Sequence, residues 1–252
     1  MLEIKDLRFA YPHKPVLNGI DLDVERGELV ALLGANGSGK STMVKCLCGV
    51  LSPESGTMSL DGVDLLNMSM RERAGRIGYV PQSMGADETA LSVHETVAQG
   101  VQRPGLRFSR SEQRLRTIAA MSQVGLLDYA FTPVNRLSGG ERQRVFIGRA
   151  LAMDTDYLLL DEPVSALDLK YQGHIMRLLR DLARDGRAVL TIVHDLNLAA
   201  GFADRLALLD GGRIVAVGSA SQVLTADRLS AVYGTPVEVA EVRGRTVVLP
   251  PV

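Results

Sequence analysis

Apolar and polar positions alternate through the first two dozen residues. Leu7, Phe9 and Tyr11 share one side, and Ile20, Leu22 and Val24 interleave with Asp21, Asp23 and Glu25. A period of two with a polar opposite face predicts two antiparallel strands, with the turn between them at Pro15. The pattern then changes. ELVALL (28–33) is apolar throughout, as expected of a strand buried on both faces, and a glycine-rich loop leads from it into a helix, KSTMVKCLCGV. SPESG reads as a turn and TMSLDG as a short strand with its own turn. RIGYVPQ (76–82) reads as a strand stopped by Pro81.

From about Ser83 to Asp154 helical periodicity takes over, in SVHETVAQGV, SEQRLRTIAAMSQVGLL and a helix after Ser138. Buried strands resume with YLLLDEP (157–163) and AVLTIVHD (188–195), separated by the helix LKYQGHIMRLLRDLARD and followed by a short one, LNLAAGFA. LALLDGGRIVAVG predicts a hairpin turning at Asp210-Gly211-Gly212. One helix with Val223, Leu224 and Leu229 on its apolar side follows, and VEVAEVRGRTVVL closes as a hairpin around Gly244. The expected fold is a single α/β domain. Its mainly parallel core spans 1–84 and 154–236, with an antiparallel β subdomain at the N-terminal end. An α-helical subdomain is inserted at 85–153, and a β-hairpin extension occupies 237–252.

Composition narrows the function classes. A formal net charge of −1, with only a mild cluster from Arg103 to Arg116, argues against a nucleic-acid partner. No apolar run approaches the about 18 residues of a membrane span, and MLEIKDLRF lacks the basic start and apolar stretch of a signal peptide. Cys46 and Cys48 lie two apart on a predicted helix, so they face apart, which argues against a disulfide or metal site, and they read as small core or boundary residues in a reducing cytosol.

The chemistry begins at GANGSGKST. Gly34, Gly39, Lys40 and Ser41 fit G-x-x-x-x-G-K-[ST] between a strand and a helix, with Asn36, Gly37 and Ser38 inside the loop and Thr42 after it. Glycines let backbone N–H groups turn inward around phosphates, and the helix start adds positive potential. Lys40 can reach the β- and γ-phosphates and the Ser41 hydroxyl can bind Mg²⁺, which makes this the nucleotide site of a P-loop NTPase core. In YLLLDEP, Asp161 ends a buried strand, where it can hold Mg²⁺ through a water, and Glu162 can act on an attacking water. Read alone, the same two acids serve equally well in the first turn of a following helix. Gln82, His194 and Asp168 are further polar residues at or just beyond strand ends. His194 suits a γ-phosphate contact, and Gln82 a contact to Mg²⁺ or the lytic water.

LSGGERQR (137–144) is harder to place. Ser138 as N-cap and Glu141 three residues on make a capping box, and Val145, Ile147 and Leu151 start an apolar face. Helix start alone leaves Gly139 and Gly140 unexplained, because a helical glycine costs up to about 1 kcal/mol against alanine.

Taken in order, the phosphate loop, VPQ, LSGGE, LLLDEP, SALD and IVHD resemble the ATP-binding cassette (ABC) ATPase family from Tyr11 to about Gly234. The resemblance implies ATP and Mg²⁺ as cofactors, with Glu162 as catalytic base. It also implies that Tyr11 stacks on adenine and that Asp168 serves the nucleotide site. Two identical chains would pair head to tail, so that Ser138, Gly139 and Gly140 of each reach the γ-phosphate held by the other. With no span of its own, the chain resembles the separate ATPase subunit of an importer. Such a subunit is cytoplasmic and peripheral on the inner face of the membrane, held by integral-membrane permease subunits and served indirectly by a substrate-binding protein. The segment from HDLNLAAG to AVYG most resembles subunits for iron–siderophore, haem and cobalamin uptake. Zinc and manganese importers use closely similar subunits.

Two other classes fit less well. Soluble ABC proteins acting on ribosomes or DNA usually carry two fused cassettes or a long coiled coil, and neither is seen. A nucleotide-gated regulatory module is expected to lack the base, whereas Glu162 and His194 are both here. One departure from the family pattern is Val164, where threonine is commoner in DEPTSALD; it is expected not to touch ATP.

Overall fold

The computed structural model describes residues 1–82, 91–102 and 108–249. Strands β1 (Leu2–Tyr11) and β2 (Lys14–Val24) pair antiparallel, as their alternation predicts. Their turn lies at Pro12 and His13 rather than at Pro15, which sits inside β2 opposite Ala10. β2 is an edge strand, where a proline's missing N–H need not break the ladder. After β3 (Leu29–Leu33) and α1 (Lys40–Leu47), the short strands β4 (Ser55–Leu60) and β5 (Val63–Asp64) complete a four-stranded sheet of order β2-β1-β4-β5. A short helix absent from the sequence reading, α2 (Met70–Ala74), starts at a Ser69–Glu72 capping box.

The strand β6 (Ile77–Val80) is followed by helices α3 (Val93–Val101), α4 (Arg110–Gln123) and α5 (Gly139–Ala152), each opened by a Ser/Glu capping box. α4 stops earlier than the sequence suggests, because Gly125 turns left-handed at φ 67° and the chain leaves the helix before Leu126 and Leu127. Next come β7 (Tyr157–Asp161), α6 (Leu169–Arg184), β8 (Ala188–Ile192), α7 (Leu196–Phe202) and the hairpin β9 (Arg205–Asp210)–β10 (Arg213–Gly218). The single helix expected afterwards is two, α8 (Ala220–Val223) and α9 (Ala226–Tyr233), which together bury Val223, Leu224 and Leu229. The last hairpin is β11 (Glu238–Val242) and β12 (Arg245–Leu249), turning at Arg243-Gly244. The expected boundary at 84/85, Arg103 and residues 250–252 lie outside the described residues.

β3 lies inside a six-stranded sheet of order β10-β9-β3-β8-β7-β6, parallel except for the β9–β10 pair. Every residue of β3, β7 and β8 is buried, which accounts for their unbroken apolar sequences. Alternate residues feed two cores. Leu29, Ala31 and Leu33 pack with helices α3–α7, whereas Val30 and Leu32 pack with α1 and the antiparallel sheet. Val164 is buried in the first of these cores, and Cys46 belongs to the second, its thiol pushed up to about 11 by burial. Among the described residues no helix is long and apolar enough to cross a membrane.

Register fixes where ligands can approach. Leu32 of β3 and Asp161 of β7 both sit opposite Ile192 of β8, and Val80 of β6 sits opposite Leu160. The carboxyl ends of the four strands therefore line up along one rim, the rim at which open parallel sheets bind ligands. The opposite rim is tied by Asp61, which accepts from the Arg26 guanidinium at 2.7 Å, the Met1 ammonium at 2.6 Å and the Tyr157 hydroxyl at 2.5 Å. Arg26 above all holds this carboxyl well below the usual aspartate range. A depressed carboxyl contributes its full stability above the unfolded value, about 3.9, and loses it as the pH falls further. Asp61→Asn, which tolerates the same left-handed φ of 50°, should lower Tm by about 2–4 °C between pH 5 and 7. That shift corresponds to about 1 kcal/mol after solvent screening. The gap between the two proteins should close below about pH 4 when followed by thermal melts.

Candidate active site

Gly34 leaves β3 at φ 144°, and a Cβ there would stand 2.1 Å from the Leu209 carbonyl of β9, so no other residue fits. The loop it begins ends at Lys40, the first residue of α1. Lys40 is buried, and its Nζ donates to the carbonyls of Gly34 at 2.7 Å and Ala35 at 2.9 Å. Burial pushes the ammonium's pKa down, while Glu162 and Asp161 oppose that shift. The Ser38 hydroxyl is buried within the same loop without a hydrogen-bond partner among the described residues.

This loop floors a cavity of about 460 Å³ at the rim of the parallel sheet. Of the residues singled out in the sequence, Asn36, Gly37, Gly39, Lys40, Ser41 and Thr42 line its floor. Tyr11, Gln82, Glu162 and His194 stand around it. Lys14 and Val16 of β2 line it as well, and nothing in their sequence context marks them. Tyr11 is 40% exposed and meets Phe9 edge-on at 4.9 Å, leaving an aromatic surface at the mouth.

Asp161 lies behind the floor, buried, and accepts a 3.1 Å hydrogen bond from the Ser41 hydroxyl. Burial raises its pKa, and the Ser41 bond works the other way. A hydroxyl and a carboxylate so close are hard oxygen donors that suit Mg²⁺. Among the described residues no three His, Cys, Asp or Glu side chains gather to cage a metal, so phosphate oxygens and water would complete such a cation's shell.

Glu162, the next residue, takes φ 52°, a left-handed conformation that costs a non-glycine residue about 1–3 kcal/mol. Its carbonyl accepts from the Ser165 hydroxyl at 3.0 Å and the Ser165 N–H at 3.3 Å, which helps hold the turn. The strained turn brings its Oε1 to 2.5 Å from His194 Nε2, at the end of the neighbouring strand. An ionised carboxylate only accepts, so Nε2 carries a proton in this pair. The result is a nearly buried carboxylate, oriented by an imidazole, beside a cationic phosphate loop.

Four singled-out residues stand elsewhere. Ser138, Gly139, Gly140 and Asp168 do not line this cavity. Ser138 and Glu141 form the expected capping box, and Asp168 caps α6 by accepting from the Tyr171 N–H at 2.9 Å. The two glycines differ. A Cβ on Gly140 would meet the chain's own Ala166 carbonyl at 3.0 Å, whereas a Cβ on Gly139 meets nothing within 4 Å among the described residues. Packing inside one chain thus explains Gly140 and, among the described residues, leaves Gly139 with no neighbour that requires it.

One further residue ties these segments together. Arg144 of α5 donates to the carbonyls of Val124 and Gly125 at 2.9 Å each and lies 3.9 Å over the Tyr171 ring, joining α4, α5 and α6. Burial pushes the pKa of the Tyr233 phenol up, and the Gly34 backbone opposes that shift. The Arg144 contacts have no sequence signal, because they join residues far apart in the chain.

Residues 17–165 match the profile described as ABC transporter. The hemin import ATP-binding protein HmuV of Nocardia farcinica is 45% identical over 244 residues, covering 95% of this chain and 83% of that protein. Two solved structures share the fold. A dimeric ATP-binding cassette in a post-hydrolysis state, bound to ADP and Pi, superposes with a TM-score of 0.80 at 29% identity, covering 87% of this chain and 99% of that one. A protein described as a metal-chelate type ABC transporter, in an inward-facing conformation, gives 0.81 at 28% identity, covering 98% of this chain and 95% of that one.

Proposed function

The chain belongs to the ABC transporter family as one of its ATP-hydrolysing subunits, and from that premise we propose that two copies, pairing head to tail, power an importer. One observation carries the pairing. The chain presents a phosphate loop with a carboxylate and histidine, and a separate helix start with an open glycine at a place the cavity does not reach. Each half lacks what the other offers.

In this reading the loop N–H groups and Lys40 hold the β- and γ-phosphates, Thr42 lines the phosphate end and Tyr11 stacks on adenine. Ser41, Asp161 and Gln82 would hold Mg²⁺, which supplies charge neutralisation on the transferring phosphoryl group. Glu162 takes a proton from the attacking water, and His194 orients that carboxylate while reaching the γ-phosphate. Ser138 and Gly139 of the second copy offer a hydroxyl and backbone N–H groups to the same phosphate, with Asp168 beside the junction. ATP thereby holds the pair shut, and hydrolysis releases it. We read α3–α5, with the segment after Gln82, as the inserted subdomain that passes this motion to a membrane permease. That contact keeps the chain on the inner face of the membrane.

The cargo we assign is an iron chelate of the haem type. A relative named for hemin import is 45% identical, and a metal-chelate type transporter shares the fold over 98% of this chain. Phosphate release per chain should rise at least fivefold over a tenfold increase in protein concentration. A specific rate that stays constant under dilution would remove the pairing. For the cargo, liposomes holding this chain with its permease should take up hemin on ATP addition. Uptake of zinc in its place would overturn the assignment.

A further inference from the structure

Another cavity, of about 490 Å³, lies between α6, α7 and β12 and shares no lining residue with the nucleotide cavity. Its charged lining is Arg177, Arg180 and Arg245 against one carboxylate, Asp195, whose Oδ1 already accepts the Leu198 N–H at 2.9 Å. None of the three guanidiniums has a hydrogen-bond or ion-pair partner among the described residues. The Arg180 Nε is cut off from solvent with no acceptor among the described residues, and the guanidinium lies 5.5 Å from the centre of the Phe202 ring. A guanidinium is always charged and carries five donors, so three of them around one hollow, with the Arg180 Nε shut off from water and unpartnered, favour an anion between them.

The rest of the lining describes the occupant. Leu169, Leu198 and Phe202 make an apolar wall, and Leu169 is 85% exposed. The far wall is fixed. Asn197 donates to the Val248 carbonyl at 3.0 Å and accepts the Val248 N–H at 2.8 Å, which seats the final hairpin against α7. We propose that this cavity is a regulatory site for a small organic anion, a phosphate- or carboxylate-bearing molecule with a flat apolar part. The position suits regulation. Leu169 follows Asp168 and Asp195 follows His194, so an occupant touches the residues next to both segments.

The test uses 8-anilinonaphthalene-1-sulfonate, an aromatic anion, on the full chain saturated with ADP and Mg²⁺, so that the nucleotide site is blocked. One saturable site per chain, displaced by pyrophosphate, is expected. Arg245→Glu, an exposed change on the hairpin, and Arg180→Met should each weaken the probe at least tenfold with ATP binding intact. Unchanged affinity in both variants, or binding that never saturates, would overturn the site. Saturating probe should also change phosphate release at least twofold in the unaltered chain and not in Arg245→Glu. No change in the unaltered chain would remove the regulatory part.

Discussion

Glu162→Gln should bind ATP as the unaltered chain does and release phosphate at least 100-fold more slowly. A general base contributes about 10²–10⁴-fold in rate, and this change removes the proposed base with little else disturbed. Glutamine keeps the side-chain length, and its amide oxygen can still accept from His194 Nε2 across the same 2.5 Å contact. The left-handed turn at φ 52° is no harder for glutamine than for glutamate, so the fold survives. The variant should therefore accumulate as an ATP-loaded pair of chains, visible by size-exclusion chromatography with bound nucleotide. Equal phosphate release by the two proteins would show that the base is another group.

Gly139→Ala should leave ATP binding by a single chain intact and lower phosphate release at least tenfold. Among the described residues a Cβ at position 139 meets nothing within 4 Å, so a loss caused by a methyl group there points to a partner surface rather than to packing around α5. One methyl between backbone N–H groups and a phosphate displaces charge-assisted hydrogen bonds, each worth more than a neutral one. Gly140→Ala is the less informative change, because its Cβ would press on the Ala166 carbonyl at 3.0 Å and disturb the chain's own packing. Thermal melts separate the two variants: Gly139→Ala should melt with the unaltered chain and Gly140→Ala below it. Full activity in Gly139→Ala would end the head-to-tail account.

Much of the fold is legible because the buried strands carry their environment in their composition. β3, β7 and β8 are apolar at nearly every position, and only a sheet covered on both faces makes that stable. The phosphate loop is equally open to reading, since Gly34 and Lys40 answer local demands of backbone geometry and charge. Failures occur where a neighbour in space decides. Pro15 looks like a turn until β2 proves to be an edge, and the helix around Leu224 looks continuous although tertiary packing divides it. The bonds from Arg144 to the carbonyls of Val124 and Gly125 join two helices and leave no periodic trace. Gly140 is the mixed case. Sequence marks it as needing room, but only the fold identifies its own Ala166 as the neighbour.

Lys40 donates to the carbonyls of Gly34 and Ala35, so the loop's own cation helps set its shape. A triphosphate entering the loop has to win that ammonium from two backbone carbonyls. Part of its binding is therefore an exchange of acceptors around one group rather than a net gain of contacts.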